Sequence, residues 1–255
     1  MVVVKRFAIR VEYDGTDYSG WQIQANAPTI QERLEDALKE ITKQEIRIVG
    51  AGRTDSGVHA RGQVAHFDVN DVKLEPVNIT GGMNANLPDD IVVRETWEVD
   101  GQFHARHDAV SRDYIYTISL QQHAIGRQYC WFVYNDLDFH TLQEAERLVL
   151  GEHDFRSFMH AQSDTEDTIC NITKSTWKSE EDTYRYGISG NRFLHNMVRC
   201  LVGTMVEVAR GRYTVQDFRD YIQQPDKEAP VVSAPAKGLV LDRVHYDTSV
   251  ETVEI

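Results

Sequence analysis

Residues 50–68 read GAGRTDSGVHARGQVAHFD and carry one carboxylate, Asp55, two residues after Arg53, with Thr54, His59 and Arg61 crowded around it. Gly50, Gly52 and Gly57 allow tight or φ > 0 backbone, so a turn can present Asp55 outward from the end of a strand. An apolar run, Ile46 to Val49, feeds this turn, and a strand resumes at Gln63 to Val69. An Asp-Ser-Gly turn by itself needs only an acid that closes a hairpin through its own backbone hydrogen bonds. That leaves Arg53, Thr54, His59 and Arg61 unaccounted for. A carboxylate beside a guanidinium stays ionised near neutral pH and can act as a nucleophile or a base.

A second chemistry starts from the same acid. His59, His66 and His104 with Asp55 or Asp68 would suit a metal-dependent nuclease or phosphatase. No HxxxH on a helical stretch and no CxxC supports it, so core or phosphate-contacting histidines are the better reading and no metal is expected. Cys130, Cys170 and Cys200 are odd in number and widely spaced, which points to free thiols in a reducing compartment.

GRTDSGVHA resembles the signature of the TruA-type tRNA pseudouridine synthases, GRTDxGVHA, at Gly52, Arg53, Thr54, Asp55, Gly57, Val58, His59 and Ala60. Further segments resemble the same family in the same order: EYDGTDYSGWQIQ (Glu12 to Gln24), MNANLPDDI (Met83 to Ile91), FHAR with SRDYIY (Phe103 to Tyr116), NRFLHNMVR (Asn191 to Arg199) and APAKGLVL (Ala234 to Leu241). The resemblance implies isomerisation of uridine to pseudouridine at positions 38 to 40 of the tRNA anticodon stem-loop, by a homodimer, with no cofactor. It makes Asp55 the catalytic carboxylate, Arg199 its ion partner, Tyr114 the ring that stacks on the flipped uracil, and Leu239 an apolar contact to that base. Arg53 falls where the family has an arginine near the flipped nucleotide. Alternating tyrosines in a strand are ordinarily sheet-face or core residues, and Tyr116 is read that way. His195–Asn196 stands where relatives commonly have two histidines. A fold that kept tRNA binding but lost catalysis is the other alternative, and an intact Asp55, Tyr114 and Arg199 argue against it.

With 40 acidic and 27 basic residues the net charge is −13, which opposes phosphate binding over the body as a whole. The acids concentrate elsewhere, on and beside the helix holding Glu32, Glu35, Asp36, Glu40 and Glu45, and in the stretch Asp164 to Asp182. Arg61, Arg106, Arg112 and Arg192 lie with Arg53 and Arg199 in the motif segments and are the expected RNA contacts. No run approaches a membrane span, and MVVVKRFAIR lacks the order of a signal peptide. A cytoplasmic protein is expected.

The elements that must position these residues alternate irregularly. Phe7, Ile9, Val11 and Tyr13 read as one buried strand face. Thr29 and Glu32 form a capping box for a helix to about Ile41, with Ile30, Leu34, Ala37, Leu38 and Ile41 as its apolar stripe. Strands are predicted at Ile46–Val49, Val64–Val69 and Ile91–Val99, the last with Ile91, Val93, Trp97 and Val99 on one face. Later come a strand through Tyr114 to Leu120, a helix capped by Asp138, strands at Ile172–Lys178 and Tyr184–Ser189, and a long helix Phe193–Ala209 stopped by Gly211. A short helix opens at Thr214 and a closing strand runs from Leu239 to Tyr246. This pattern predicts an α+β fold, largely antiparallel. Two subdomains, 1–101 with the Asp loop and 102–255 with the tyrosine and arginine, are expected to share a continuous sheet. The resemblance implies an active cleft between them.

Overall fold

The computed structural model describes residues 4–70, 74–134, 136–160, 163 and 165–247; Met1–Val3 of the apolar start and Asp164 of the acidic stretch lie outside them. The chain forms two compact units, residues 1–110 with 241–255, and residues 111–240. The first unit takes in most of the closing strand as well, which a split near Gly101 does not provide for.

In the first unit, β1 (Val4–Tyr13) pairs antiparallel with β3 (His59–Asn70) and with β4 (Ile91–Val99), and β2 (Val49–Gly50) adds a short pairing to β3. Phe7, Ile9, Val11 and Tyr13 are buried as their alternation predicts. Helix α1 (Ile30–Thr42) starts at Thr29, whose hydroxyl accepts the Glu32 N–H, and ends on Lys43 in the left-handed region. Helix α2 (Pro76–Asn84), which the sequence reading did not anticipate, packs on β4 and against α1, where the backbone of Gly82 closes on Ile41.

Two expectations change here. The strand foreseen at Ile46–Val49 shrinks to Val49–Gly50, because α1 side chains take the backbone groups just before it: Glu35 accepts the Ile48 N–H at 3.0 Å and Gln31 donates to the Ile48 carbonyl at 3.1 Å. In β4, the buried set is Ile91, Val93 and Thr96, while Trp97 and Val99 are half-buried. A bulge explains it: Arg10 faces Glu95 but Val11 faces Val93, so Arg94 is an extra residue and the side-chain parity flips.

In the second unit, β5 (Ala109–Ser119), β9 (Thr183–Gly190), β8 (Ile169–Glu180) and β7 (Gly151–Asp154) pair antiparallel in that order, and β6 (Trp131–Phe132) runs parallel to β5. Helices α3 (Phe139–Leu148), α4 (Met197–Ala209) and α5 (Val215–Gln223) cover this sheet, with Asp138 and Thr214 as their N-caps for α3 and α5. Helix α4 is the core helix: every residue but Arg199 is buried. It begins at Met197, four residues later than predicted, because Asn196 takes a left-handed conformation (φ 68°) that ends the preceding turn. The final strand β10 (Leu239–Tyr246) enters the first unit at Leu241, where it lies beside β3. A Cβ on Gly62 of β3 would come within 2.5 Å of the Asp242 carbonyl oxygen, so only glycine fits this approach. The fold is α+β and largely antiparallel.

Candidate active site

Asp55 sits in the loop between β2 and β3, and that loop is fastened from beneath. The Ala51 N–H donates to the Val64 carbonyl at 2.7 Å, and the buried Gln63 side chain donates to the Gly52 carbonyl at 2.9 Å. The segment that follows β1, Asp14 to Trp21, supplies the other supports. The Trp21 N–H donates to the Thr54 carbonyl, the Ser56 hydroxyl and Gly57 N–H both donate to the Tyr18 carbonyl, and Tyr13 Oη lies 2.7 Å from Thr54 Oγ1. This packing leaves no room for side chains at two glycines. A Cβ on Gly15 would stand 2.0 Å from the Val58 carbonyl oxygen, and one on Gly50 would meet the Trp21 indole at 2.7 Å. Thr54 is buried, Asp55 is half-buried, and Arg53 and Ser56 are exposed. The loop therefore holds its acid half-buried and its arginine exposed on a fixed base.

The flanking histidines serve the framework. His59 is buried, with Nδ1 3.1 Å from the Gly15 amide nitrogen and 3.0 Å from Asp14 Oδ1. His66 Nδ1 accepts the Ala105 N–H at 3.1 Å, and its ring packs beside Phe103 and His104. Burial, aided by the nearby Arg6 charge, pushes the His66 imidazole down to about 4, so it is neutral near pH 7. His104 is also lowered, by burial and by His107. Asp68 is held by Arg6 through two bonds of 2.7 Å, which keep its carboxyl below the ordinary range. His59, His66, His104 and Asp68 are thus engaged in local structure. Among the described residues no group of three or more His, Cys, Asp and Glu is arranged to hold a metal ion.

In the second unit, Tyr114 and Tyr116 share one face of β5. Tyr116 is fully buried: its hydroxyl donates to the Pro235 carbonyl at 2.8 Å and Gly238 packs flat against its ring, so it belongs to the core as predicted. Tyr114 is 9% exposed and meets Phe193 edge to face. Leu239 is buried at the start of β10, directly after the Ala236–Gly238 turn that carries Gly238.

Arg199 lies in the first turn of α4, and His195 precedes the helix. Its Nε donates to the Ala234 carbonyl at 2.8 Å and its own carbonyl accepts the Ala234 N–H at 3.0 Å. Segment 232–234 reaches this close because Gly203 faces it: a Cβ there would lie 2.1 Å from the Val232 oxygen. A cation in a first turn runs against the helix dipole, at a cost of about 0.3–1 kcal/mol. That placement favours a role in meeting an anion over a role in stabilising the helix.

The other predicted arginines divide. Arg53, Arg61 and Arg106 are exposed. Arg61 stands 3.6 Å from Asp242. Arg192 is ion-paired with Asp167, and Arg112 donates to the Asn191 carbonyl at 2.8 Å. Sequence reasoning passed over Tyr13, Trp21 and Gln63, although EYDGTDYSGW marked their neighbourhood. It also left Asn84 of MNANLP without a role; that side chain pairs with both backbone groups of Val93, as a strand neighbour would.

A family described as tRNA pseudouridine synthase matches residues 9–108 and 145–247, with Arg112 and Tyr114 in the stretch between the two matched segments. The chain is 41% identical over 254 residues to the tRNA pseudouridine synthase A of Bacteroides thetaiotaomicron, covering 98% of this chain and 94% of that one. It is 39% identical over 246 residues to the protein of the same name from Geobacillus sp., covering 95% and 99%. With that of Clostridium kluyveri the identity is 38% over 245 residues, covering 95% and 100%. A signature loop built around Asp55 and likeness over nearly the whole length lead to one conclusion: the chain belongs to the tRNA pseudouridine synthases, isomerases that act on uridine in tRNA.

Proposed function

We propose that this enzyme converts uridine to pseudouridine at positions 38 to 40 of the tRNA anticodon stem-loop, with Asp55 as its catalytic carboxylate. The observation that carries the reading is the Asp55 loop, whose backbone is tied down on its buried side while Asp55 is half-buried and Arg53 exposed. The reaction breaks the C1′–N1 bond, turns the base, and joins C1′ to C5; C5 loses its proton and N1 gains one. Atoms balance without an oxidant, a reductant or a second substrate, so no redox cofactor is needed. The chemistry calls for an ionised carboxylate at the sugar–base junction, which Asp55 supplies as nucleophile or base.

Arg199 acts as the cationic partner that favours the ionised acid, held in place through Ala234. Tyr114 stacks on the extruded uracil and Leu239 provides an apolar contact to it. Arg53, Arg61, Arg106, Arg112 and Arg192 meet phosphates and set the grip on the stem. The enzyme works in the cytoplasm as a homodimer. Among the described residues no helix is long and apolar enough to cross a membrane.

The test is to map pseudouridine in tRNA from cells lacking this protein, with wild-type or Asp55→Asn supplied back. Loss of the modification at 38 to 40, restored by the wild type alone, is the expected result. Restoration by Asp55→Asn removes Asp55 from its role, and unchanged modification at 38 to 40 in the deleted strain overturns the target assignment.

A further inference from the structure

Thr54 immediately precedes Asp55 and is fixed at its carbonyl and its hydroxyl by the segment around β1. Its carbonyl accepts the Trp21 N–H at 3.1 Å, and its hydroxyl meets Tyr13 Oη at 2.7 Å. Tyr13 is 2% exposed and Thr54 is 7% exposed, so this pair forms away from solvent. Tyr13 itself is the last residue of β1, pairing with Ala60 and Ile91 across the sheet, and its ring leans on Trp21 at 6.2 Å between centroids. A rigid central strand therefore ends in a hydroxyl that holds the residue next to the acid.

Nothing in a hairpin turn requires that arrangement. Backbone bonds from Ala51 to Val64 and from Val58 to Asp55 already close the loop. A buried hydroxyl pair is directional, and it constrains the Thr54–Asp55 peptide where a packed methyl would only fill space. We infer that Tyr13 and Thr54 form a positioning pair that fixes the carboxylate of Asp55 for the chemical step. Neither residue touches the uridine. Their effect passes through the peptide they share with the acid, in the regime where a misplacement of about 1 Å costs about 100-fold in rate. This inference rests on the reading of Asp55 as the reactive group.

The experiment measures tritium release from tRNA labelled at uridine C5, at saturating and limiting tRNA, for Tyr13→Phe, Thr54→Val, Thr54→Ser and the Tyr13→Phe/Thr54→Val double variant, with melting temperatures recorded alongside. Expected are a fall in kcat of about tenfold or more for Tyr13→Phe and for Thr54→Val and a KM within about twofold of wild type. Thr54→Ser, which keeps the hydroxyl, should recover most of the rate. The double variant should be no slower than the worse single, as for two halves of one interaction. A kcat within twofold of wild type in both single variants overturns the inference, as does a double variant whose loss is the product of the two. If Tyr13→Phe does not fold, the contrast of Thr54→Val with Thr54→Ser decides alone. Asp55→Asn is run in parallel: activity there defeats the assignment of Asp55, whereas an inactive Asp55→Asn beside fully active Tyr13→Phe and Thr54→Val defeats only the positioning pair.

Discussion

Tyr114 meets Phe193 edge to face, with ring centroids 5.1 Å apart and planes at 83°. Phe193 belongs to the NRFLHNMVR segment that leads into α4, so the residue proposed to stack on uracil is braced by the chain that also delivers Arg199. Tyr114→Ala should weaken tRNA binding by about 1–3 kcal/mol, the worth of one base on an aromatic platform. Tyr114→Phe should bind as wild type and lose rate only to the extent that the hydroxyl moves a proton. Phe193→Ala should weaken binding in the same direction, with less than additive effect in the Tyr114→Ala background. Filter binding and single-turnover rates check this; wild-type values for both Tyr114 variants would leave that ring a core residue.

The arginines should separate under salt. Each phosphate contact contributes roughly −0.7 to −0.9 to the slope of log K against log salt. Arg53 is exposed, so Arg53→Ala should flatten the slope by about one contact. Arg192 is already neutralised by Asp167, so Arg192→Ala should change it less, and Asp167→Asn should strengthen binding. Equal slopes for Arg53→Ala and Arg192→Ala, measured by titration from low to physiological salt, would overturn this ranking.

Acid should loosen the first unit before carboxylates are fully titrated. His66 is about 6.5 when unfolded and about 4 when folded, so between those values the unfolded chain binds the extra proton. Stability from this group is complete above about pH 6.5 and declines as pH falls toward 4, by at most about 3 kcal/mol. His104 adds in the same direction. His66→Asn keeps an acceptor for the Ala105 N–H without the titration, so urea melts across that range should show a shallower pH dependence. An unchanged slope would exclude His66 as its source.

Gly15 and Gly52 should differ in their response to alanine. At Gly15 the new methyl would be driven onto the Val58 backbone oxygen, which no side-chain rotation relieves, so Gly15→Ala should lose about 1–3 kcal/mol or more. At Gly52 nothing lies within 4 Å, so Gly52→Ala should melt near the wild-type temperature. Differential melting of the two proteins checks the pair.

Much of this was legible from residue types alone. The caps at Thr29, Asp138 and Thr214 stand where their side chains predict, because a cap is decided within four residues. The bounds of β4 and β10 follow likewise from local alternation. What failed depended on distant partners. The parity of β4 is set by a bulge against β1, which no reading of residues 91–99 contains. Ile46–Ile48 has strand residues, but both backbone groups of Ile48 are claimed by Gln31 and Glu35 of α1. The start of α4 turned on a left-handed Asn196, a conformation that asparagine tolerates without announcing. At the site, the acid and its loop could be read directly; the buried supports beneath them could not, since Tyr13, Trp21 and Gln63 look like ordinary strand and turn residues.

The closing strand returns to the first unit only after the whole of the second has intervened. Gly62 and Asp242 touch across a sequence separation that makes this one of the slowest contacts for a newly made chain to find. Until it forms, β3 has only the short β2 pairing on the side away from β1, and β3 is the strand on which the Asp55 loop is anchored. The Asp55 loop thus precedes the strand that completes its sheet by the whole of residues 111–240. With Asp55 as the proposed reactive group, the sheet that anchors its loop is complete only once residues 241–247 lie beside β3, long after the signature itself has been synthesised.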